Sequence, residues 1–330
     1  MHIRRLSAWL AAAWLALGAS AALAQPFRVL VVMSYEENNP WVREIADGIE
    51  AVLKPHAEIT YFYMDTKVDP AGARRKGEQA MEAFRRLQPH GVITADDDAA
   101  THFINPFLRG QVATPVMFNG INAAPAAHGF PAANVSGVLE RAHVKESLAF
   151  IKQIVPSVQS ACFMTNNVPP GMSLRSQVEG EKDGYPVRAG KFHLVANVAE
   201  LDVAVADTKG ACDVLVVDSL EGIADAAGAP MNNAQVMRLL RAGFPGPILA
   251  GNRYQVEQGA WAAVVKTGQE QGDTSAEMLL RAMRGEPVSS IAITRNVRGQ
   301  RVINVTAIEA AGIEIRPQVL RGATLVRERN

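Results

Sequence analysis

Phe27-Arg28-Val29-Leu30-Val31-Val32-Met33-Ser34-Tyr35-Glu36-Glu37-Asn38-Asn39-Pro40-Trp41 is the stretch from which the fold reads. Residues 27–33 form an apolar run without alternation, as expected of a strand covered on both faces. Asn39-Pro40 then supplies a helix cap and a proline for the first turn. The helix that follows carries Trp41, Ile45, Ile49 and Val52 on one face, at spacings of 4, 4 and 3. Strand, polar turn and amphipathic helix, in that order, make one unit of a parallel α/β sheet.

The unit repeats. Strands are expected at Ile59 to Met64, Gly91 to Thr94, Thr114 to Phe118 and Val135 to Leu139, with helices at 71–88 and from about Ala99 to Leu108 between them. A helix over His143 to Ile154, stopped by Pro156, opens a second cycle. Its strands are Ser160 to Thr165, His193 to Val198, Cys212 to Val217, Pro247 to Ala250 and Ala262 to Lys266. Helices fall at Gly171 to Asp183 and Asn233 to Ala242, and a last one begins with the capping box Thr274-x-x-Glu277 and ends at Gly285. The expected fold is α/β, with two doubly wound parallel-sheet lobes, a hinge and an interlobe cleft.

Residues 1–24 read as an address. Arg4 and Arg5 precede the apolar run Ala8 to Leu17, and Ala22-Leu23-Ala24 is a small-x-small cleavage site before Gln25. That run is too short for a membrane span, which needs about 20 apolar residues. The expectation is a secretory signal peptide cleaved after Ala24, and a periplasmic protein with no stable membrane insertion. The whole chain of 330 residues has 33 Lys+Arg against 33 Asp+Glu, so no basic excess is left to neutralise phosphates, and nucleic acid is not an expected partner. Export makes a disulfide permissible between Cys162 and Cys212, yet both lie in apolar runs where buried free thiols are the more ordinary state.

Polar residues gather where the strands end. After the first come Ser34, Tyr35, Glu36 and Trp41; after the third, Asp96, Asp97 and Asp98; after the fourth, Asn119 and Asn122. In the second half the corresponding ends carry Asn166, then Asp218 and Ser219, then Asn252 and Arg253. Each taken alone fits turn and cap chemistry. Together, at the carboxyl ends of parallel strands, they outline a ligand pocket. Arg253 is placed to hold a carboxylate with its planar fork, Asp96 or Asp97 to accept from an ammonium, and Trp41 or Tyr35 to cover an apolar part or a cation.

Several segments resemble the type I periplasmic substrate-binding proteins of ABC importers, in the branch that includes tryptophan- and tyrosine-type binders. They are Val29 to Tyr35 with Pro40-Trp41, Met64-Asp65-Thr66-Lys67, Val92 to Ala99, Pro115 to Asn122, Val302-Ile303-Asn304 and Ala311 to Pro317. The N-terminal half is also similar to extracytoplasmic sensing domains of histidine kinases. The resemblance implies a monomer whose lobes close on a small ligand, with no cofactor and with an ABC permease as partner, or alternatively a membrane histidine kinase. It implies a first lobe of residues 25–138 plus 259–286 and a second of 139–258 plus 287–330. Asp96-Asp97-Asp98 departs from the small, neutral loop of many amino-acid binders and points away from tryptophan or tyrosine as ligand.

An enzyme is the other class considered, because three successive acids after a strand suit a divalent cation and a metal-dependent hydrolase. G-x-S-x-G, H-E-x-x-H, C-x-x-C, phosphate-loop and G-x-G-x-x-G patterns are all lacking, and the histidines show no ligand spacing. The sequence therefore reads as a non-enzymatic binding protein without a metal site.

Overall fold

A computed structural model describes residues 25–327. The leader reading, on residues 1–24, lies outside them. Two separate sheets form. Successive strands are β1 (Phe27–Met33), β2 (Ala57–Tyr63), β3 (Gly91–Ala95), β4 (Val116–Ile121), β5 (Val135–Leu139), β6 (Ser160–Asn166), β7 (Arg188–Val195), β8 (Val214–Asp218), β9 (Ile248–Ala250), β10 (Ala262–Val265), β11 (Thr294–Arg295), β12 (Gln300–Asn304) and β13 (Thr324–Val326).

The first sheet has the order β11-β5-β4-β3-β1-β2 and is parallel throughout. The second is β13-β12-β10-β9-β8-β6-β7, parallel except where β12 runs against β10. The unbroken apolar run Val29 to Met33 of β1 is explained by this placement. Leu30 and Val32 face one core of the first lobe, while Val29, Val31 and Met33 face the other. Each such side chain fully removed from water contributes about 1.5–3 kcal/mol. The second sheet is sandwiched in the same way between two apolar clusters.

Within the described residues the chain passes between the lobes three times. It leaves β5 at Leu139 for the Val144–Ile154 helix of the second lobe, returns from β10 at Val265 into the Gly268–Met283 helix, and leaves β11 at Arg295 for β12 at Gln300. The crossings are stitched together by side chains. Asn296 accepts the N–H of Arg141 at 2.7 Å through Oδ1 and donates to its carbonyl at 3.0 Å through Nδ2. Glu270 Oε1 accepts the N–H groups of Val297 and Arg298 at 2.6 and 2.7 Å.

Several expectations are corrected. The last long helix starts at Gly268, capped by the Thr267 hydroxyl, and Thr274 with Glu277 sits inside it. Its opening turns hold Gly268 and Gly272, poor helix formers retained because the Pro40–Leu53 helix crosses there in backbone contact. A Cβ on Gly272 would stand 2.1 Å from the Ile45 carbonyl oxygen, and one on Gly48 would stand 2.2 Å from that of Gln269. Residues 262–265, grouped by the sequence reading with the first lobe, pair with β9 and β12 in the second sheet. Thr294–Arg295, grouped with the second lobe, pairs with β5 in the first. The Val198–Thr208 helix, capped by Asn197, escaped notice, and β7 begins at Arg188, earlier than His193. Cys162 and Cys212 are bridged, their Cα atoms 5.7 Å apart; Cys162, buried in β6, meets the half-buried Cys212 just ahead of the neighbouring strand β8.

Candidate functional site

The carboxyl ends of strands from both sheets face a cleft of about 640 Å³. Tyr35, Trp41, Lys67, Asp96 and Asn122 line it from the first lobe; Asp218, Ser219, Asn252 and Arg253 line it from the second. Glu140, Arg141 and Lys266, on the crossings, form part of the wall between.

Trp41 is set by the start of its helix, where Asn39 Oδ1 accepts its backbone N–H at 3.0 Å. Its indole Nε1 donates to Asp96 Oδ1 at 3.1 Å. Asp96 begins the short helix after β3 with a left-handed backbone (φ 69°), conformationally unusual for any residue but glycine and least so for Asp or Asn. It is buried, and among the described residues its Oδ2 has no hydrogen-bond partner. Burial and the Glu140 charge push its carboxyl well above the usual range, against the opposing pull of the Trp41 hydrogen bond and the Lys67 charge. Lys67 Nζ lies 4.1 Å from the centre of the Tyr35 ring, a cation–π contact at the cleft edge.

Glu140 and Lys266 form an ion pair at 2.8 Å, with side chains only 8% and 18% exposed. Burial works to lower the lysine's pKa, but the charges of Glu140, Asp218 and Asp96 outweigh it and hold the ammonium above its ordinary value. Arg141 is held by backbone: Nη1 donates to the carbonyls of Ile121, Asn122 and Glu140 at 3.1, 3.0 and 2.6 Å, and Nη2 to Ala123 at 3.3 Å. Across the cleft, Asp218 Oδ1 accepts from Asn252 Nδ2 at 2.9 Å and from the Ser219 N–H at 2.8 Å. Arg253 pairs with Glu257 at 2.9 Å on an exposed face.

Of the fourteen residues singled out from sequence, eight therefore line the cleft: Tyr35, Trp41, Asp96, Asn122, Asp218, Ser219, Asn252 and Arg253. Six are not among its lining residues, and each has local work. Ser34 Oγ donates to the Ala95 carbonyl at 2.6 Å and accepts the Ala99 N–H at 2.9 Å. Glu36 accepts the Val68 N–H, Asn119 donates to Ser275 Oγ, and Asn166 donates to the Glu221 carbonyl. Asp97 accepts from the Asn122 and Ala123 N–H groups and meets His128 Nε2 at 2.9 Å; Asp98 accepts from the Thr66 hydroxyl at 2.5 Å. The three consecutive acids thus point to three different partners and do not converge as a chelating set would.

Glu140, Arg141, Lys266 and Lys67 were missed. For Glu140, Arg141 and Lys266 the signal was present: charged residues following the apolar strands Val135–Leu139 and Ala262–Val265, where the chain changes lobes.

The family model described as "ABC transporter substrate binding protein" matches residues 109–327. Among curated protein sequences, no relative matches the chain. Several solved structures share the fold. A ligand-free, open substrate-binding protein with adhesive properties from Clostridium difficile superposes with TM-score 0.69 at 16% identity, over 92% of this chain and 100% of that one. An ABC domain from Streptococcus pneumonia in complex with L-Trp gives 0.59 at 19% identity, over 90% and 99%. A conserved domain protein from Vibrio cholerae gives 0.58 at 19%, over 92% and 100%.

Proposed function

The chain belongs to the family of ABC transporter substrate-binding proteins, and from that membership we propose that it captures a small polar solute, amino-acid-like or cationic, between its lobes and delivers it to an ABC permease. The observation that carries this reading is the cleft itself. A space of about 640 Å³, within the range typical of small-molecule sites, is walled by the aromatic rings of Tyr35, Trp41 and Tyr254 and by charged groups from both lobes and the crossings. A solute touching both lobes favours whichever arrangement lets it touch both at once, so binding shifts the lobes toward closure, and the closed form is what a permease can recognise.

The residues we assign to the ligand are those among the sequence candidates that line the cleft, Tyr35, Trp41, Asp96, Asn122, Asp218, Ser219, Asn252 and Arg253, joined by Arg141 and Lys266. The protein works outside the cytoplasm, as a monomer, after loss of residues 1–24. That location is supported by the leader pattern at residues 1–24.

A thermal-shift screen of the purified protein against amino acids, amines, nucleosides and sugars tests the reading. A solute at about 100 times its dissociation constant adds about 2.7 kcal/mol of stability, enough to raise the melting temperature by several degrees. A hit should also change the emission of Trp41, inside the cleft, in a variant lacking Trp261. Silence across a broad panel of solutes contradicts the proposal.

A further inference from the structure

We propose that the cleft selects for a protonated amine, seated on Oδ2 of Asp96 beside the rings of Trp41 and Tyr35. The inference rests on the solute-binding reading above and specifies the chemistry of its ligand.

The assignment follows from which charged groups of the cleft are already matched. Among the basic ones, Lys266 is paired with Glu140. Arg141 donates to four backbone carbonyls, and Arg253 is paired with Glu257. Lys67 lies over Tyr35. None of the four is presented as an unengaged anchor for a ligand carboxylate. Asp96 is the converse case. Oδ1 accepts from the Trp41 indole at 3.1 Å, while Oδ2, in a residue 97% removed from solvent, has no hydrogen-bond partner among the described residues. A buried carboxyl oxygen without a hydrogen-bond partner is expensive, and a partner delivered by the ligand relieves it. An ammonium does so best, because its hydrogen bond is charge-assisted and the adjoining aromatic faces also attract a cation. Asp97 is not a substitute, since the N–H groups of Asn122 and Ala123 and the His128 ring already occupy it.

The proton follows from the surroundings of Asp96. Facing it are Glu140 from the first crossing, Asp97 from its own turn, Tyr35 from the turn after β1, Lys67 from the turn after β2, and Lys266 from the second crossing, while Asp98 acts on Tyr35. Burial and the neighbouring acids favour the neutral carboxyl, more than Trp41 and Lys67 favour the charged one. Where the carboxyl carries a proton, binding of R–NH3⁺ sends that proton to solvent and the carboxylate pairs with the ammonium, so one positive charge enters as one leaves. A neutral alcohol or a carboxylate of the same skeleton offers no such exchange.

The experiment is isothermal titration calorimetry of the purified protein with two matched sets: 2-phenylethylamine, 2-phenylethanol and 3-phenylpropionate, and 1,4-diaminobutane, 1,4-butanediol and succinate. Titrations run from pH 5.5 to 8.5 in buffers of different ionisation heat. The expected result is at least tenfold tighter binding of an amine than of its alcohol and acid counterparts, affinity that rises with pH, and a buffer-dependent enthalpy reporting proton release. Asp96→Asn, which tolerates the left-handed backbone and keeps the acceptor for Trp41, should erase the preference and the buffer dependence with circular dichroism unchanged. An alcohol or acid that binds while its amine does not, amine binding indifferent to pH and buffer, or no amine binding at all overturns the inference. Of these, binding by a neutral or acidic solute leaves the cleft standing as a solute site; only silence across the wider panel brings down the underlying reading as well.

Discussion

Asp96 and Asp97 are neighbours in sequence with opposite electrostatic fates. Asp96 is raised by burial and by Glu140; for Asp97 burial also works upward, but the His128 hydrogen bond and the N–H groups of Asn122 and Ala123 outweigh it and hold the carboxyl below its ordinary value. Linkage then gives opposite signs. Between the unfolded carboxylate range and its own raised pKa, Asp96 binds more protons folded than unfolded, so it makes stability fall as pH rises. The contribution of Asp97 is present above the unfolded range and is lost as pH falls through its depressed pKa. Asp96→Asn should therefore raise the melting temperature at pH 7 and flatten the decline toward alkaline pH, even as it costs binding; an unchanged pH profile of melting would contradict this. Glu140→Gln should cost about 3–5 kcal/mol in denaturant unfolding, because it leaves the Lys266 charge buried and unpaired. The double change with Lys266→Met should recover most of that loss. At this scale the sequence was half legible. Tyr35, Trp41 and Asp96 stood at strand ends and line the cleft, but Ser34, Asp97 and Asp98 stood there too and serve turns, because one residue vocabulary satisfies both backbone and ligand.

The crossing of the Pro40–Leu53 and Gly268–Met283 helices shows how an element is chosen for its neighbour. Gly48 and Gly272 allow backbone-to-backbone approach, and Gly272→Ala places a methyl 2.1 Å from the Ile45 carbonyl oxygen. The helices must part, and the expected cost is about 1–3 kcal/mol by chemical denaturation. Gly180, in the Pro169–Glu181 helix, has nothing within 4 Å of an added Cβ. There the same substitution should stabilise by about 0.5–1 kcal/mol. Equal effects at the two sites would contradict the packing described. The same glycines explain why the start of the second helix was misplaced: a Thr-x-x-Glu box looked like a better beginning than a stretch with two poor helix formers, until the partner helix supplied the reason for them. Alternating strands and amphipathic helices were otherwise readable from apolar runs and spacing. The lobe boundaries after β10 and at β11 were not, since strand pairing across the crossings is non-local information.

On the scale of the whole molecule, three crossings join two sheets whose carboxyl ends share one cleft, so that whatever touches Trp41 and Asp96 on one side and Asp218 and Asn252 on the other links the lobes. The Cys162–Cys212 bridge lies wholly in the second lobe and closes a sequence separation of 50 residues. Its removal by paired Ala substitution should destabilise that lobe by about 2–4 kcal/mol, seen as an earlier melting transition, while binding at temperatures below it persists. The most direct measurement is calorimetric titration of the best solute from the thermal screen into the wild-type protein and into Ser173→Trp, which fills the cleft from the second lobe. One solute per chain in the wild type and at least tenfold weaker binding in the filled cleft are expected; undiminished binding in Ser173→Trp would place the solute elsewhere and contradict capture between the lobes.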